Sequence, residues 1–384
     1  MKWLFYTGIS LLILFEVANV YFIMPMPGSQ RMNTLSLAYF LYSWRWILRA
    51  LFGAMIIIGF QYTWKGSKVS KIFTVFFLLL LSVVIYMTSF KMAADHMFLY
   101  PTQVVMKDSF ASVIELDRLI IGIENNGEAR AYPIQFLGYH HQVRDTIGGV
   151  PVMVTYCTVC RSGRVFQSQV KGEYKIFRLV GMDHFNAMFE DKNTKSWWRQ
   201  ETGEAVAGPL KGEQLPEWPS TQTSLRTWLQ WHPNSLILQP DSTFSEAYED
   251  ESDFETGRPE GKLTVYYTAS WHDKSWIAGV IIGNQARAYD WNELKRKLII
   301  HDTLHSQPIA IVVGDENRSL TGFIRLTDQQ HFEMKGDTLS DGSHNFDWRG
   351  QSLNDSISDL VPIIVYQEYW HSWRTFHPNT TKYE

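Results

Sequence analysis

The sequence predicts an α+β, strand-rich fold in which N-terminal transmembrane helices precede two duplicated lobes of small mixed sheets. Three observations support this class. The first quarter of the chain is almost entirely apolar, the remainder alternates short β-branched runs with closely spaced turn residues, and one set of residues recurs at a constant offset. We therefore divide the 384 residues into an anchor at 1–96, a first lobe at 97–245 and a second lobe at 246–384.

Three apolar segments within the anchor predict transmembrane helices. Residues 3–24 are interrupted by a single glutamate, and residues 71–92 contain a long run of Phe, Leu, Val and Ile. At about 1.5 Å per residue, each segment can cross a hydrocarbon core of about 30 Å. A less regular segment at 35–60 carries Arg45 and Arg49, four residues apart. We place both at the outer end of its helix, with an intramembrane polar contact as the alternative.

The positive charges predict the orientation of these helices. Lys2 precedes the first helix and three lysines lie within 65–71, whereas the loop after the first helix has only Arg31. The positive-inside rule places the N-terminus and the lysine loop in the cytoplasm. We expect a multi-pass protein of the inner (cytoplasmic) membrane, with everything after about Met92 on the periplasmic or extracellular side.

Charge separates the same two parts of the chain. Residues 1–96 hold eight Lys or Arg and two acidic residues, a net charge of +6, and because the whole chain carries −4, the remaining 288 residues carry −10. An acidic exported part without Lys/Arg clusters argues against nucleic acid as a partner. The expected partners are the membrane and, for a metal carrier, a membrane or exported metalloprotein.

An internal repeat underlies the two lobes. Eight residues recur with the same identity 157 positions later. In the first lobe they are Gly122, Ala129, Arg130, Ala131, Tyr132, Asp145, Thr146 and Pro151. The ends of the lobes match as well, because the step from Trp228 to His232 recurs from Trp373 to His377.

The cysteines are missing from the second copy. At the offset of 157 residues, Cys157 corresponds to Gly314 and Cys160 to Asn317. A staple that the fold requires would be expected in both lobes. We infer that the cysteines serve something that only the first lobe does.

Each lobe is predicted to open with the same order of elements. Residues 119–123 and 276–282 read as strands, and each run leads through a polar turn into an Ala-Arg-Ala-Tyr strand. Short helices at 133–137 and 291–298 follow, and then strands at 151–156 and 308–313.

Cys157 and Cys160, the two cysteines of the chain, form a C-x-x-C motif. Such a pair is a redox couple, half of a metal site or a structural staple. The next soft or borderline donors after Cys160 along the chain are Met182, His184 and Met188. Two thiolates with His or Met suit copper first and zinc second. We therefore predict a metal site formed by these five residues.

Each candidate also has a structural interpretation. The methionines are commoner as core residues than as ligands, and His184 beside Asp183 fits a satisfied polar pair. Arg161 and Arg164 would lower a thiol pKa, bind an anion or serve as surface charges. Arg161 and the two cysteines are the candidates for redox catalysis, whereas an oxidising compartment could simply close the cysteines as a disulfide.

Several common chemistries find no motif in the chain. Attachment of a c-type haem requires a His directly after the second cysteine, and Cys160 is followed by Arg161 instead. No phosphate-cradling loop, dinucleotide fingerprint, nucleophile elbow or H-E-x-x-H segment is present. We expect neither haem nor a nucleotide as cofactor.

Five segments resemble a bacterial family catalogued only as a domain of unknown function. They lie at 154–164, 181–189, 194–200, 203–210 and 228–233 and include Y-C-x-x-C, S-x-W-x-Q and G-P-L patterns in that order. The resemblance covers roughly 110–380 and implies an exported location and a shared site, but no reaction. Within it, Trp197 and Trp198 are expected either to pack in a core or to line a pocket beside the cysteines.

Three functions of different class follow from these residues. The first is an exported metal-binding protein, a copper carrier or assembly factor. The second is a thiol oxidoreductase that alternates between dithiol and disulfide, although the chain lacks a thioredoxin-like βαβ context. The third is a non-catalytic interaction or solute-binding module with a structural disulfide. Because these alternatives differ in whether chemistry occurs, the sequence assigns no enzymatic activity.

Overall fold

The computed structural model describes residues 1–251, 254, 263, 267–314, 318–336, 338–354 and 357–384, so that Asn317 lies outside the described residues. The described helices are α1 (Lys2–Tyr21), α2 (Leu35–Trp64), α3 (Lys68–Tyr86), α4 (Ala94–Met97), α5 (Ile134–His140), α6 (Leu225–Trp231), α7 (Ser245–Asp250), α8 (Trp291–Lys297) and α9 (Trp370–Phe376). Short 3₁₀ turns occupy Ser29–Arg31 and Ser242–Phe244, and a π-turn at Met87–Lys91 extends α3.

Twenty-five short strands accompany these helices in the described chain. The first half contains β1 (Met106–Lys107), β2 (Leu119–Asn125), β3 (Glu128–Pro133), β4 (Gln142–Ile147), β5 (Val150–Cys157), β6 (Ser162–Gln167), β7 (Gln169–Val170), β8 (Glu173–Tyr174), β9 (Phe177–Asp183), β10 (Asn186–Asp191), β11 (Trp197–Arg199), β12 (Ala205–Ala207), β13 (Thr221–Ser224) and β14 (Leu236–Leu238). The second half contains β15 (Trp276–Ile282), β16 (Gln285–Asp290), β17 (Ile299–Leu304), β18 (Gln307–Val313), β19 (Leu320–Ile324), β20 (Glu333–Lys335), β21 (Thr338–Ser340), β22 (Asn345–Phe346), β23 (Val361–Pro362), β24 (Tyr366–Tyr369) and β25 (Thr381–Lys382). The predicted strand-rich α+β class is confirmed.

The chain divides into two compact units. The first unit combines Met1–Leu99 with Lys175–Arg199 and Glu204–Glu213. The second unit contains Tyr100–Tyr174, Gln200–Gly203 and Gln214–Glu384. The boundaries proposed for the two lobes, at 97–245 and 246–384, stay predictions.

The first unit contains three helices that are long and apolar enough to cross a membrane. They are Lys2–Tyr21, Leu35–Trp64 and Lys68–Lys91, which confirms the three predicted apolar helices. The first two helices pack closely at Gly59, where the missing side chain leaves room for the backbone of Phe5. An added Cβ on Gly59 would lie 2.2 Å from the Phe5 nitrogen. The unit also contains an antiparallel sheet in the order β12-β11-β10-β9.

An ion pair joins the first two helices. Arg49 Nε and Nη2 donate to the two carboxylate oxygens of Glu16 at 2.7 and 2.8 Å, and the Glu16 side chain is 2% exposed. Arg49 thus makes a polar contact between two of the long apolar helices, whereas its depth in a membrane stays a prediction. Arg45 instead donates to the carbonyl oxygen of Tyr42 at 2.5 Å and lies over the Tyr42 ring.

The internal repeat is visible in the second unit as identical strand pairing. Gly122 pairs with Ala131 between β2 and β3, and Gly279 pairs with Ala288 between β15 and β16. β15, β16, α8 and β17 begin and end 157 positions after β2, β3, α5 and β4. The closing elements β24 and α9 follow β13 and α6 at an offset of 145.

The same side-chain contacts also recur in both copies. Tyr132 donates to Asp145 at 2.6 Å, and Tyr289 donates to Asp302 at 2.7 Å. An added Cβ at Gly122 would lie 2.4 Å from the indole of Trp228, and the equivalent glycine of the second copy is covered by its own tryptophan at 2.3 Å. Glycine is therefore required in both strands by the approach of an indole ring.

The two copies contact each other through two equivalent pairs of strands. β24 of the second copy contacts β6 of the first, and β13 of the first copy contacts β19 of the second. Gln222 and Gln367, which are equivalent at the offset of 145, meet between the copies. Gln367 Nε2 donates to the Gln222 carbonyl at 3.0 Å, and Gln222 Nε2 donates to Gln367 Oε1 at 3.3 Å.

Candidate functional site

The C-x-x-C motif lies in a tight connection between two strands of the second unit. Cys157 ends β5, and Arg161, at a φ of 56°, turns the chain back into β6. Cys157 pairs with Ser162 across this hairpin. Both cysteine side chains are fully buried, they lie about 3.9 Å apart, and no disulfide joins them.

A histidine from the second copy faces this pair. His371 Nδ1 lies 3.0 Å from the carbonyl oxygen of Asp273, and because a carbonyl only accepts, Nδ1 carries the proton. In the neutral ring, Nε2 then presents its lone pair, and it lies 3.9 Å from Cys160 Sγ. Tyr369, two residues before His371, donates its backbone N–H to the Cys160 carbonyl at 2.8 Å and links the two copies here.

A lysine supplies positive charge beside the thiols. Lys274 Nζ donates to the carbonyl oxygen of Val159, inside the motif, and lies 5.0 Å from the centre of the Tyr369 ring. Burial lowers the pKa of Lys274 to about 8, although the nearby cysteines act in the opposite direction. A negative charge on either sulfur would therefore be balanced by this ammonium group.

Burial also controls the protonation of the cysteines. It raises the pKa of the Cys160 thiol well above the ordinary value, and the hydrogen bond with Cys157 acts in the same direction. His371 opposes this effect. Without a bound cation, Cys160 is consequently a neutral thiol at neutral pH, and a neutral thiol is a poor nucleophile.

Arg161 is buried next to the motif rather than exposed as a surface charge. Its side chain is 2% exposed, and its guanidinium group lies 3.7 Å from the centre of the Trp276 ring. Trp276 stacks in turn on Trp291 at 3.7 Å. Nη1 donates weakly to the Phe254 carbonyl at 3.5 Å, whereas Nε and Nη2 have no hydrogen-bond partner among the described residues.

Arg164 is the centre of a second buried group. It donates to carboxylate oxygens of Glu201 and Glu368, and both glutamate side chains are fully buried. Its Nε and Nη1 donate to the backbone oxygens of Glu201 and Gly163 at 3.2 and 2.9 Å. Tyr366 covers the guanidinium group, with its ring centre 4.0 Å away.

The two carboxylates around Arg164 share its charge unequally. Burial raises the pKa of Glu368 to about 8 and that of Glu201 as well, against the lowering effect of Arg164 on both. The two groups also hydrogen-bond to each other. One guanidinium can balance one carboxylate, so the pair retains a proton near neutral pH. The Glu201 carboxylate also senses Cys160, whose thiolate form would raise its pKa further.

The corresponding place in the other half of the repeat is open. Arg164 is replaced there by Thr321, and Trp373 and His377 are replaced by Trp228 and His232. Trp228, His232 and Thr321 line a cavity of about 410 Å³ instead of a charged cluster. The buried charges and thiols are thus confined to one of two equivalent places.

The remaining predicted ligands lie in the first unit. His184 Nδ1 contacts Asp183 at 2.6 Å and its Nε2 contacts Asn33 at 3.1 Å, in agreement with the polar-pair interpretation. Met188 is fully buried in β10, and Met182 lies in the neighbouring strand β9. The structure thus groups His184 and the methionines in one unit and the cysteines in the other, and the five-residue ligand set stays a prediction.

The tryptophan pair packs in the core of the first unit. Trp197 and Trp198 are fully buried, and their indole N–H groups donate to Glu190 and Asp191 at 3.3 and 3.1 Å. The glutamine that ends the same motif, Gln200, belongs to the second unit. There its amide group holds the cysteine hairpin, donating at 3.0 Å to a threonine hydroxyl of β5 and at 3.1 Å to a carbonyl of β6.

Sequence reasoning missed His371, Lys274, Glu201 and Glu368. All four are distant from the cysteines along the chain, and none belongs to a recognisable motif. The repeat held one signal, since His371 corresponds to Arg226 at the offset of 145 and so marks a position where the copies differ.

Within the described part of the chain, no group of three or more His, Cys, Asp or Glu side chains is arranged to hold a metal ion.

Comparisons with known proteins identify a family. No curated protein and no solved structure matches the chain significantly. A family model described as a protein of unknown function (DUF3179) matches residues 102–380, more than half of the chain. The chain therefore belongs to this family of unknown function.

Proposed function

We propose that the chain is a membrane-anchored copper-binding protein, a carrier or assembly factor, whose site consists of Cys157, Cys160 and His371. The observation that carries this proposal is the convergence of two buried sulfurs about 3.9 Å apart with the lone pair of His371 Nε2, 3.9 Å from Cys160 Sγ. Metal bonds of about 2.3 Å to sulfur and about 2.0 Å to nitrogen can bridge separations of this size. The hydrogen bond at His371 Nδ1 fixes the tautomer in the way that metal-ligating histidines require.

Charge and ligand number favour Cu(I) over Zn²⁺ in this proposal. A monovalent ion with two thiolates has a charge of −1, which protonated Lys274 neutralises, whereas a divalent ion would leave the buried site positive. Structural zinc sites in proteins take four protein ligands, whereas the proposed set supplies three. Soft thiolates select Cu(I). The raised pKa of Cys160 does not oppose binding, because a coordinating metal deprotonates thiols.

The proposed location follows from the charges that flank the helices. We place the lysine loop within 65–71 on the cytoplasmic side of a bacterial inner membrane and the family domain on the exported side. A copper carrier on that side would exchange the ion with a membrane or exported metalloprotein.

Titration of the full chain with Cu(I) under reducing conditions, against a chromophoric chelator, tests the proposal. We expect one ion per chain, and loss of binding in Cys157→Ser and in Cys160→Ser. His371→Ala should weaken binding at least tenfold, whereas His184→Ala serves as the matched control and should leave binding unchanged. Sulfur and nitrogen neighbours in X-ray absorption would confirm the ligand types.

The result decides between the two histidines as well. If His184→Ala weakens binding and His371→Ala does not, the original ligand set with Met182 and Met188 is correct and the assignment of His371 is wrong. If Cys157→Ser retains a full copper content, copper binding by this motif is excluded.

A thiol oxidoreductase is the second candidate, and the short separation of the sulfurs favours it. Closing a bond of about 2.05 Å requires an approach of roughly 2 Å. The dithiol would give up two electrons and two protons to a disulfide of an exported partner protein, which becomes two thiols. His371 Nε2 would accept the first proton, leaving a thiolate on Cys160. Reversible formation of a Cys157–Cys160 disulfide in glutathione buffers, in a chain that binds no copper, would favour this function.

A further inference from the structure

The first unit contains a polar cavity of about 190 Å³ beside its membrane-spanning helices, which the copper proposal does not use. Its charged lining consists of Arg45, Arg49, Arg178, Glu16 and Asp95. Three guanidinium groups against two carboxylates leave the lining with a charge of +1.

Two of the three arginines have carboxylate partners. Arg49 is held by both oxygens of Glu16, and Arg178 donates to Asp95 at 2.9 Å and to Glu190 at 3.0 Å. Arg45 has no such partner among the described residues. The surplus charge of the cavity therefore belongs to Arg45.

Arg45 is positioned with most of its donors unused. One N–H donates to the Tyr42 carbonyl, and the guanidinium group rests 3.8 Å from the centre of the Tyr42 ring. The Tyr42 hydroxyl accepts a hydrogen bond from Arg178 at 2.6 Å, so the same ring positions two arginines. The other Arg45 donors have no acceptor within the part of the chain that the structure describes, which leaves a planar fork suited to an oxyanion.

The side chain of Asn19 adds a second polar atom without a partner. Asn19 lines the same cavity, and its Oδ1 atom is buried without a hydrogen-bond partner among the described residues. A half-turn of this amide would present its two N–H donors to the cavity. A ligand with several oxygens could thus satisfy both Asn19 and Arg45.

The depth of the cavity matches the boundary of a bilayer. Arg45 lies twenty residues along α2 from Lys65, which at 1.5 Å per residue is about 30 Å, the thickness of a hydrocarbon core. Trp44 and Trp46, which are 48% and 67% exposed, flank Arg45 at this level. Tryptophans are enriched at the headgroup boundary of membrane proteins.

We propose that this cavity binds a phosphate group, that of an anionic phospholipid headgroup or free phosphate, through Arg45 and Asn19. Arg49 and Arg178 add no net attraction because their carboxylate partners balance them, so the attraction comes from Arg45. The site lies wholly in the first unit and is independent of the cysteines.

The full chain purified in a maltoside detergent allows a direct test by native mass spectrometry. Short-chain phosphatidylglycerol, short-chain phosphatidylcholine and inorganic phosphate are titrated separately. We expect one phosphatidylglycerol per chain, at least tenfold tighter than phosphatidylcholine. If inorganic phosphate binds equally well and displaces it, free phosphate is the ligand of the same site.

Variants that each change one arginine distinguish binding at this site from non-specific electrostatic attraction. Arg45→Gln should weaken binding at least tenfold, and Arg45→Lys, which keeps the charge, should retain part of the affinity if the glutamine variant fails to fold. Arg31→Gln removes an exposed charge of the same unit outside the cavity and should have no effect. Equal affinities in the wild type and Arg45→Gln, or an equal loss in Arg31→Gln, would overturn the proposal.

Discussion

The protonation of the buried Glu368 carboxyl group affects the stability of the second unit. Its pKa is raised to about 8 by burial, so the folded chain keeps a proton that the unfolded chain loses near its ordinary value. Because the folded state binds more protons in this window, stability falls as pH rises from about 5 to about 8. Glu201 raises the pKa of this carboxyl further, whereas Arg164 and His377 lower it.

Glu368→Gln tests this prediction. The amide cannot lose a proton, so the difference in unfolding free energy between the variant and the wild type should change by about 1–3 kcal/mol across that pH range. Thermal unfolding at several pH values measures it. Glu333→Gln, at an exposed strand position, is the matched control and should run parallel to the wild type. A parallel curve for Glu368→Gln would mean that the pair does not retain its proton.

The ion pair between Glu16 and Arg49 gives a second prediction at this scale. Arg49→Ala leaves a carboxylate that is 2% exposed without its bidentate partner, and breaking a buried pair typically costs about 3–5 kcal/mol. We expect a large loss of stability in detergent, measured by thermal unfolding. The double variant Glu16→Gln with Arg49→Gln should recover much of it, since no lone charge remains. A small effect of Arg49→Ala would show that water reaches Glu16.

Residue types alone identified the cysteines but not their surroundings. A C-x-x-C motif is conspicuous in a chain with two cysteines, whereas His371 is 211 positions from Cys160 and resembles any other histidine in the sequence. His184 was chosen because it is close along the chain. Proximity along the chain does not decide which residues a fold brings together, and the contact between β6 and β24 is needed to find the second histidine.

Helix packing in the first unit depends on one glycine of α2. An added Cβ at Gly59 would lie 2.2 Å from the Phe5 nitrogen, whereas one at Gly53 would meet nothing within 4 Å. Gly59→Ala should therefore force α1 and α2 apart and destabilise the unit by about 1–3 kcal/mol. Gly53→Ala, on the same helix, should be neutral. Thermal unfolding of both variants in one detergent is the measurement, and equal effects would contradict the close approach.

Short elements of the repeat were predictable almost to the residue. The strand expected at 151–156 is observed at Val150–Cys157, and the helix expected at 291–298 is observed at Trp291–Lys297. These elements are bounded by turn residues and carry a clear apolar pattern, which local sequence reports well. The sheet β20-β21-β22 was not predicted, because its strands are two or three residues long and lack such a pattern.

At the scale of the whole molecule, the orientation in the membrane is the prediction with the widest consequences. A reporter that is active only outside the cytoplasm should work when fused after Glu384 and fail when fused after Lys68. A cytoplasm-dependent reporter at the same positions is the control and should give the reverse pattern. If the fusion at Glu384 fails and the one at Lys68 works, the cysteines face a reducing compartment and the exported copper site is excluded.

The presence of two copies was predictable, but their mutual arrangement was not. Identical residues at a constant offset indicate duplication, yet they carry no information on which surfaces of the copies meet. The contacts of β6 with β24 and of β13 with β19 depend on side chains far apart in sequence. These contacts form only when both copies are folded.

The contact between Gln222 and Gln367 has a consequence for the origin of the chain. The two equivalent glutamines touch each other, and the β6–β24 and β13–β19 contacts are reciprocal, as in an isologous interface around a two-fold axis. A single ancestral copy could have closed the same contact with an identical partner, as a homodimer with two equal sites. Gene fusion would then have released one site from selection, so that one became the charged cysteine cluster and the other the open cavity around Thr321.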